Sequence, residues 1–208
     1  MFYNNKGGEA LVNKQFDLAY SYFKAAINTD SSFSASWGNL GVLFKQLGDL
    51  KQAEEMYRYA IALNADNNTA QGNLALLYKK NCRYESALPY LSDAIEIWNS
   101  IKFNNYKNLA YSYYNQGELY KSLGKYELSV QSFKKGIGLL SKNKELYYDL
   151  YIEQNYGLIN LYLKFGKINL AKILIKNINL DRKTRGLNII FIEKIPEEVY
   201  EDCSTFKT

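Results

Sequence analysis

The sequence predicts an all-α protein, a solenoid of stacked antiparallel helical hairpins. One observation is that only two prolines occur in 208 residues, as expected of a chain that is almost wholly helix, because proline breaks helix interiors. The other is a phrase, Asn-x-Gly or Asn-x-Ala, that recurs along the chain. Its asparagines are separated by 34, 34, 42 and 40 residues and are Asn5, Asn39, Asn73, Asn115 and Asn155.

Each phrase is followed by a short turn and a second predicted helix with small residues at regular spacing. In the second hairpin the turn is Gly48-Asp49, and the second helix carries Ala53, Tyr57 and Ala60. Glycine tolerates the left-handed backbone that often ends a helix. Small residues let two helices approach closely, and the larger residue between them fills the gap. Each hairpin leaves an apolar face that only a neighbouring hairpin can cover, which is why such units stack.

The strongest signature runs from Trp37 to Ala60 as W-x-x-L-G-x-x-F, followed by Ala, Tyr and Ala in the second helix. This pattern resembles the tetratricopeptide repeat, a helical hairpin of about 34 residues. The resemblance covers about residues 2–179. It implies a right-handed superhelical array in which the first helix of each hairpin lines a concave groove.

The predicted array occupies residues 1–179, followed by a capping segment at 180–195 and an acidic tail at 196–208. Its five repeats are predicted at 1–33, 34–67, 68–109, 110–149 and 150–179. The last two resemble the longer repeats of about 42 residues found in kinesin light chains and in bacterial peptide-sensing regulators.

Eight residues are inserted before the fourth repeat, and they are compatible with helix. We therefore expect the second helix of the third repeat to run about one turn longer, with a long loop as the alternative. In the fifth repeat, either the Asn155 match is fortuitous or the first helix is longer. The apolar run at 187–195 could be helix or strand, with helix favoured by its context. The tail is expected to be mobile; alternatively, it folds back onto lysines of the last repeat.

The composition excludes most catalytic classes. Histidine is absent, which removes the commonest general base and metal ligand. No phosphate-binding loop or metalloprotease motif occurs, and Cys82 and Cys203 lack the spacing of metal ligands. The sequence therefore predicts a non-enzymatic protein with no catalytic residues, no metal and no cofactor.

The net charge and the hydropathy pattern reduce the classes of partner that we expect. The net charge of +5 is mild, so nucleic acid is not an expected partner, and the tyrosines at 106–120 are interpreted as packing residues. No apolar run approaches the roughly 20 residues of a membrane span. No signal peptide is visible at the start, so a cytoplasmic location is the default expectation.

The resemblance implies that the five asparagines lie on the groove side at equivalent heights. An asparagine side chain offers a donor and an acceptor, so a ladder of asparagines could hold a peptide backbone without reading its sequence. The alternative is that asparagine is simply common at this consensus position. Lys45, Lys79 and Lys121 are predicted to add a basic strip at the groove rim, or else to be an ordinary solvated face.

A basic strip would favour an acidic peptide or a C-terminal carboxylate. Tyr111 and Tyr114 are predicted to point into the same groove as apolar anchors with a polar tip. Taken together, the residues predict a protein-interaction scaffold that binds a peptide or partner segment. The alternatives are a regulatory or targeting domain of a larger protein or enzyme, and a homo-oligomerisation module.

Overall fold

The computed structural model of the protein describes residues 1–101 and 106–189. These two ranges consist of helices joined by short turns and contain no strand, which confirms the predicted all-α class. The helices are α1 (Phe2–Val12), α2 (Phe16–Thr29), α3 (Ser34–Gln46), α4 (Leu50–Leu63), α5 (Asn68–Lys80), α6 (Tyr84–Ser100), α7 (Tyr106–Ser122), α8 (Tyr126–Ser141), α9 (Tyr148–Lys164) and α10 (Ile168–Thr184).

The chain divides into two compact units, residues 1–97 and 98–208. In the first unit α1 pairs with α2 and α3 with α4, and the second helix of each hairpin also packs on the first helix of the next. The first helices α1, α3 and α5 are neighbours as well. In the second unit α7 pairs with α8 and α9 with α10, while α9 also packs on α8 and contacts α7. Both units are therefore stacks of antiparallel hairpins.

Glycines allow the two helices of a hairpin to cross closely. A Cβ added at Gly41 would lie 2.7 Å from the ring of Tyr57, which is fully buried. In the second unit a Cβ at Gly117 would lie 3.0 Å from the ring of Phe133, which is also fully buried. The predicted combination of a small residue on the first helix and a ring on the second is confirmed at both crossings.

The five hairpin turns close in the same way. A backbone N–H just before each second helix donates to the carbonyl five residues earlier, and the distances range from 2.7 to 2.9 Å. The donors are Gln15, Asp49, Arg83, Lys125 and Lys167. The residue before each donor has a positive φ. Three of these residues are the predicted glycines, at 48, 124 and 166, whereas Lys14 and Cys82 adopt a φ of 57° without being glycine.

Helix lengths agree with the expected departures from a strict repeat. Helix α6 has 17 residues and ends at Ser100, three residues longer than α2 and α4. The expected extension is thus present. Helix α9 also has 17 residues, against 13 in α3, so the first helix of the last hairpin is longer, as the second of the two alternatives predicted.

The last helix continues past the predicted end of the array. Helix α10 reaches Thr184, so the beginning of the segment at 180–195 belongs to the fifth hairpin. An ion-pair network holds this end: Asp181 binds Lys144 at 2.6 Å, and Arg185 binds Glu145 at 2.6 Å. Residues 187–189 are neither helix nor strand. The remainder of the capping segment and the tail at 196–208 lie outside the described residues.

Candidate peptide-binding face

A row of polar side chains follows the first helices of the first unit. Asn39 on α3 donates a hydrogen bond from Nδ2 to Oδ1 of Asn4 on α1, at 2.9 Å. Oδ1 of Asn4 also accepts a hydrogen bond from the hydroxyl of Ser36, at 3.3 Å. The amide of Asn39 is therefore fixed by its neighbour on α1, while the residue itself stays partly exposed.

One turn and a half further along α3, a second contact joins α3 to α5. Lys45 donates from Nζ to Oδ1 of Asn73 at 3.2 Å. Burial, together with the nearby positive charge of Lys80, lowers the pKa of Lys45 from its usual 10.5. We call Asn4, Asn39, Lys45 and Asn73 the first-helix face, because its members lie on three neighbouring first helices.

The structure does not bring the repeat-equivalent asparagines of the first unit into contact with one another. Asn39 binds Asn4, whereas Asn5 is exposed. Asn73 likewise binds Lys45 and not the equivalent asparagine of α3. The physical reason is that equivalent positions point in parallel directions. A side chain that contacts a neighbouring helix must lie on the side of its own helix that faces that neighbour. Adjacent residues such as Asn4 and Asn5 differ by about 100° in direction, so only one of the two can do so.

The remaining two asparagines are placed differently. Asn115 on α7 is 5% exposed and Asn155 on α9 is 1% exposed. Asn155 donates its Nδ2 to the carbonyl of Tyr151 on its own helix, at 2.6 Å. Neither amide is presented to solvent. Asn115 and Asn155 are therefore unlike the partly exposed asparagines of the first unit.

The predicted lysine strip is also divided. Lys79 is partly exposed and its neighbour Lys80 is exposed, both at the end of α5. Lys121 is instead 2% exposed, and its Nζ lies 2.7 Å from a carboxylate oxygen of Glu118, three residues earlier on α7. The expectation that Lys121 lies on an accessible rim is wrong, because its charge is paired and buried.

The two tyrosines have separate environments. Tyr114 packs edge-on against Phe133 with ring centroids 5.6 Å apart, and a Cβ added at Gly157 would lie 2.8 Å from its ring. Tyr114 is thus part of the packing of the second unit. Tyr111 stacks on Tyr114 at 6.3 Å and remains 44% exposed.

Sequence reasoning missed Asn4 and Ser36 as members or neighbours of the first-helix face, whereas Lys80 was predicted beside Lys79 in the lysine strip. Asn4 directly precedes Asn5 in the sequence, but the repeat spacing selected Asn5. Only the crossing of α1 over α3 decides which of the two reaches Asn39. The ion pair of Lys121 could have been predicted from the sequence, because Glu118 lies three residues before it on the same helix and oppositely charged residues at this spacing form ion pairs.

A depression of about 720 Å³ on α4 is unrelated to the predicted residues. It is lined by Lys51, Glu54, Glu55, Arg58, Tyr59 and Ala62. Glu54 is already bound: it accepts hydrogen bonds at 2.8 Å from the hydroxyl of Tyr78 and from Arg83. Burial, reinforced by Glu54, raises the pKa of Tyr78 to about 12. This carboxylate therefore ties α4 to the following hairpin.

Comparison with known families identifies the repeats. The tetratricopeptide repeat family matches residues 34–67 and again residues 66–142. The chain belongs to the tetratricopeptide repeat family. The family and its fold are those of protein–protein interaction scaffolds, and this is the functional class of the chain.

Sequence relatives share only part of the chain. A protein named O-mannosyl-transferase F38B6.6 from Caenorhabditis elegans is 35% identical over 77 residues, which are 37% of this chain and 11% of that protein. Protein bimA from Emericella nidulans is 32% identical over 62 residues, 30% of this chain and 8% of that protein. The chain thus matches about a tenth of the length of these relatives.

Solved structures share the fold over most of the chain. BtubC from P. vanneervenii has a TM-score of 0.75 at 17% identity, with 94% of this chain and 82% of that chain covered. MamA from Desulfovibrio magneticus has a TM-score of 0.71 at 17% identity, with 88% and 94% covered. At such identity the likeness concerns the fold alone.

Two kinds of feature are absent from the described residues. Within residues 1–101 and 106–189, no helix is long and apolar enough to cross a membrane. The same part of the chain has no group of three or more His, Cys, Asp or Glu side chains that could hold a metal ion.

Proposed function

We propose that this scaffold binds an extended, acidic segment of a partner protein on its first-helix face. The observation that supports this most is the contact between Lys45 and Asn73, at 3.2 Å, on adjacent first helices. It places a cation with a lowered pKa beside an amide. A carboxylate that reached Lys45 would favour the charged form of the lysine and accept a charge-assisted hydrogen bond from it.

The amides supply a different part of the proposed recognition. Asn39 and Asn73 each have a donor and an acceptor, and only one atom of each side chain is used in the contacts described above. The other atom can pair with a peptide backbone whatever the peptide sequence is. Lys79 and Lys80 at the end of α5 add positive charge, which favours acidic partners and speeds their encounter.

We propose that the role is non-enzymatic. The chain has no histidine, and two of the acids described above are bound by neighbouring side chains: Glu54 by Tyr78 and Arg83, and Glu118 by Lys121. Binding without chemistry is consistent with a face made of amides and lysines.

Capture from cell lysate followed by mass spectrometry tests the proposal. The intact chain should retain a defined set of proteins that the double variant Asn39→Ala/Asn73→Ala retains weakly. Asn13→Ala is the matched control, because it removes an exposed amide at the end of α1 that lies outside the face. Equal capture by the double variant and the control would contradict the proposed site, provided that both keep the helicity of the parent.

A role within a larger protein is the second candidate. It is favoured by the relatives, since a matching segment of 77 residues is 11% of the C. elegans protein. Sequencing the full reading frame around this chain tests it, and an open frame limited to the 208 residues would contradict it. Self-association stays a prediction, and light scattering with and without a partner tests it.

A further inference from the structure

The solvent-facing side of α10 carries three exposed aliphatic side chains, which form an apolar stripe. Ile173 is 57% exposed and Leu180 is 67% exposed, with Leu170 at 43% beside them. These residues recur every three and seven positions, so they lie on one side of the helix over about 15 Å. In α8 the positions 42 residues earlier than Ile173 and Leu180 are Gln131 and Gly138.

A row of lysines follows one edge of this stripe. Lys172, Lys176 and Lys183 are all exposed, and none of them makes an ion pair with another described residue. By the helical period they lie on the same flank, about 60° to 100° from Ile173. The opposite flank carries Asp181, whose carboxylate is held by Lys144 at 2.6 Å. The exposed lysine row therefore lies on one side of the stripe, whereas on the other side Asp181 is paired with Lys144 and Arg185.

We propose that the outer side of α10 is a second docking surface, which binds an amphipathic helix of a partner protein with an acidic edge. A helix about three turns long would cover the stripe with its apolar face, and its acidic residues would meet the lysine row. The one-sided charge selects this occupant. In an antiparallel pair of α10 helices the two lysine rows would face each other. In a parallel pair each row would face a flank whose carboxylate, Asp181, is already paired with Lys144.

This proposal does not depend on the first-helix face. The stripe lies in the second unit, residues 98–208, whereas Asn39, Lys45 and Asn73 lie in the first. A variant in one surface should leave binding at the other unchanged, so the two proposals can fail separately.

A pair of designed helical peptides tests the proposal. Both have leucines along one side; one carries glutamates along a single edge of that side, and the other carries lysines there. We expect the intact chain to bind the acidic-edged peptide at least tenfold more tightly than the basic-edged peptide, as measured by fluorescence anisotropy. Equal affinity for both peptides, or no binding of either, would overturn the proposal.

Substitutions on α10 test whether the peptides bind to this helix. The triple change Lys172→Glu/Lys176→Glu/Lys183→Glu should reverse the preference between the two peptides, while Ile173→Ser/Leu180→Ser should weaken both about tenfold. All five positions are exposed, so the fold should be retained, which circular dichroism checks. Lys107→Glu/Lys134→Glu is the matched control on α7 and α8 and should change nothing. An unchanged preference in the triple variant would overturn the proposal.

Vesicles distinguish a membrane from a protein helix. Liposomes with 30% phosphatidylserine, sedimented with the intact chain at about 0.15 M salt, should leave it in the supernatant. Sedimentation that the Ile173→Ser/Leu180→Ser variant loses would assign the surface to anionic lipid and overturn the proposed occupant.

Discussion

Lys45 is the residue of the first-helix face whose charge depends most on its surroundings. Burial and the charge of Lys80 disfavour its protonated form. A lysine whose pKa is lowered becomes neutral at a lower pH than its usual 10.5. The charge that favours an acidic peptide is thus fully present below the lowered pKa and is lost as the pH rises through it.

Affinity for an acidic peptide should therefore fall with rising pH before ordinary lysines deprotonate. The Lys45→Arg variant should retain its affinity over the same range, because arginine stays protonated. Titration of binding by calorimetry between pH 7 and pH 10 checks this. A parallel loss of affinity in the parent and in Lys45→Arg would show that another group is responsible.

Gly41 is required for close packing and not for its backbone freedom. Its replacement by alanine would place a Cβ 2.7 Å from the ring of Tyr57, and we expect a loss of about 1–3 kcal/mol in the free energy of unfolding. Gly72 on α5 is the control, since a Cβ there meets nothing within 4 Å.

The Gly72→Ala variant should gain about 0.5–1 kcal/mol, because glycine weakens helix interiors. Urea unfolding followed by circular dichroism measures both variants. Opposite signs are expected, and similar losses at the two positions would contradict the packing role of Gly41.

At the scale of elements, the hairpins were predictable because their signals are local. Proline scarcity predicts helix along the whole chain, and the asparagine phrase and the turn glycines each mark a short segment of a hairpin. The first-helix face was only partly predictable. Asn39, Lys45 and Asn73 were predicted from the repeat spacing. Their hydrogen-bond partners depend on how neighbouring helices cross, which the spacing does not specify. The same limit explains why the burial of Lys121 was missed.

The turn between α1 and α2 contains a strained backbone conformation, which a substitution can test. Lys14 has a φ of 57° at a position where three other hairpins have glycine. A non-glycine residue in this conformation costs about 1 kcal/mol or more, so Lys14→Gly should raise the free energy of unfolding by about 1 kcal/mol.

Gly48→Ala is the converse change and should lower stability by a similar amount, since the φ of Gly48 is 84°. Thermal melts of the two variants beside the parent give the comparison. A lower melting temperature for Lys14→Gly would mean that the lysine side chain stabilises the turn by more than its backbone strain costs.

Asp181 stabilises the end of the last hairpin through its ion pairs with Lys144 and Arg185. Burial raises the pKa of this carboxyl group, but the ion pair with Lys144, the nearby hydroxyl of Tyr148 and the charge of Arg185 lower it below 3.8 overall. The stabilisation it provides is present above its usual pKa and is lost as the pH falls through the lowered value.

Asp181→Asn should lower the free energy of unfolding by about 1 kcal/mol at pH 7, as expected of a surface ion-pair network. The difference from the parent should vanish in strong acid. Asp93→Asn, at an exposed position of α6, is the control and should leave the melting temperature unchanged at both pH values. A loss that persisted in acid would contradict the electrostatic role of Asp181.

At the scale of the whole molecule, the chain combines a common fold with its own distribution of charge. The tetratricopeptide repeats account for the hairpins and their stacking. The proposed binding surfaces are the amides and lysines on α1, α3 and α5, and the lysine row on α10. A scaffold with two such surfaces could hold two partners independently.

The most direct test of the first-helix face compares an extended acidic peptide with an analogue in which every Asp and Glu is replaced by Asn and Gln. Dissociation constants are measured by fluorescence anisotropy for the parent, Lys45→Met and Asn39→Ala/Asn73→Ala. We predict that the parent prefers the acidic peptide about tenfold and that Lys45→Met removes most of this preference. The asparagine variant should weaken both peptides by about the same factor, since each lost hydrogen bond is worth about 1 kcal/mol. Equal dissociation constants for the three proteins with both peptides would contradict the account.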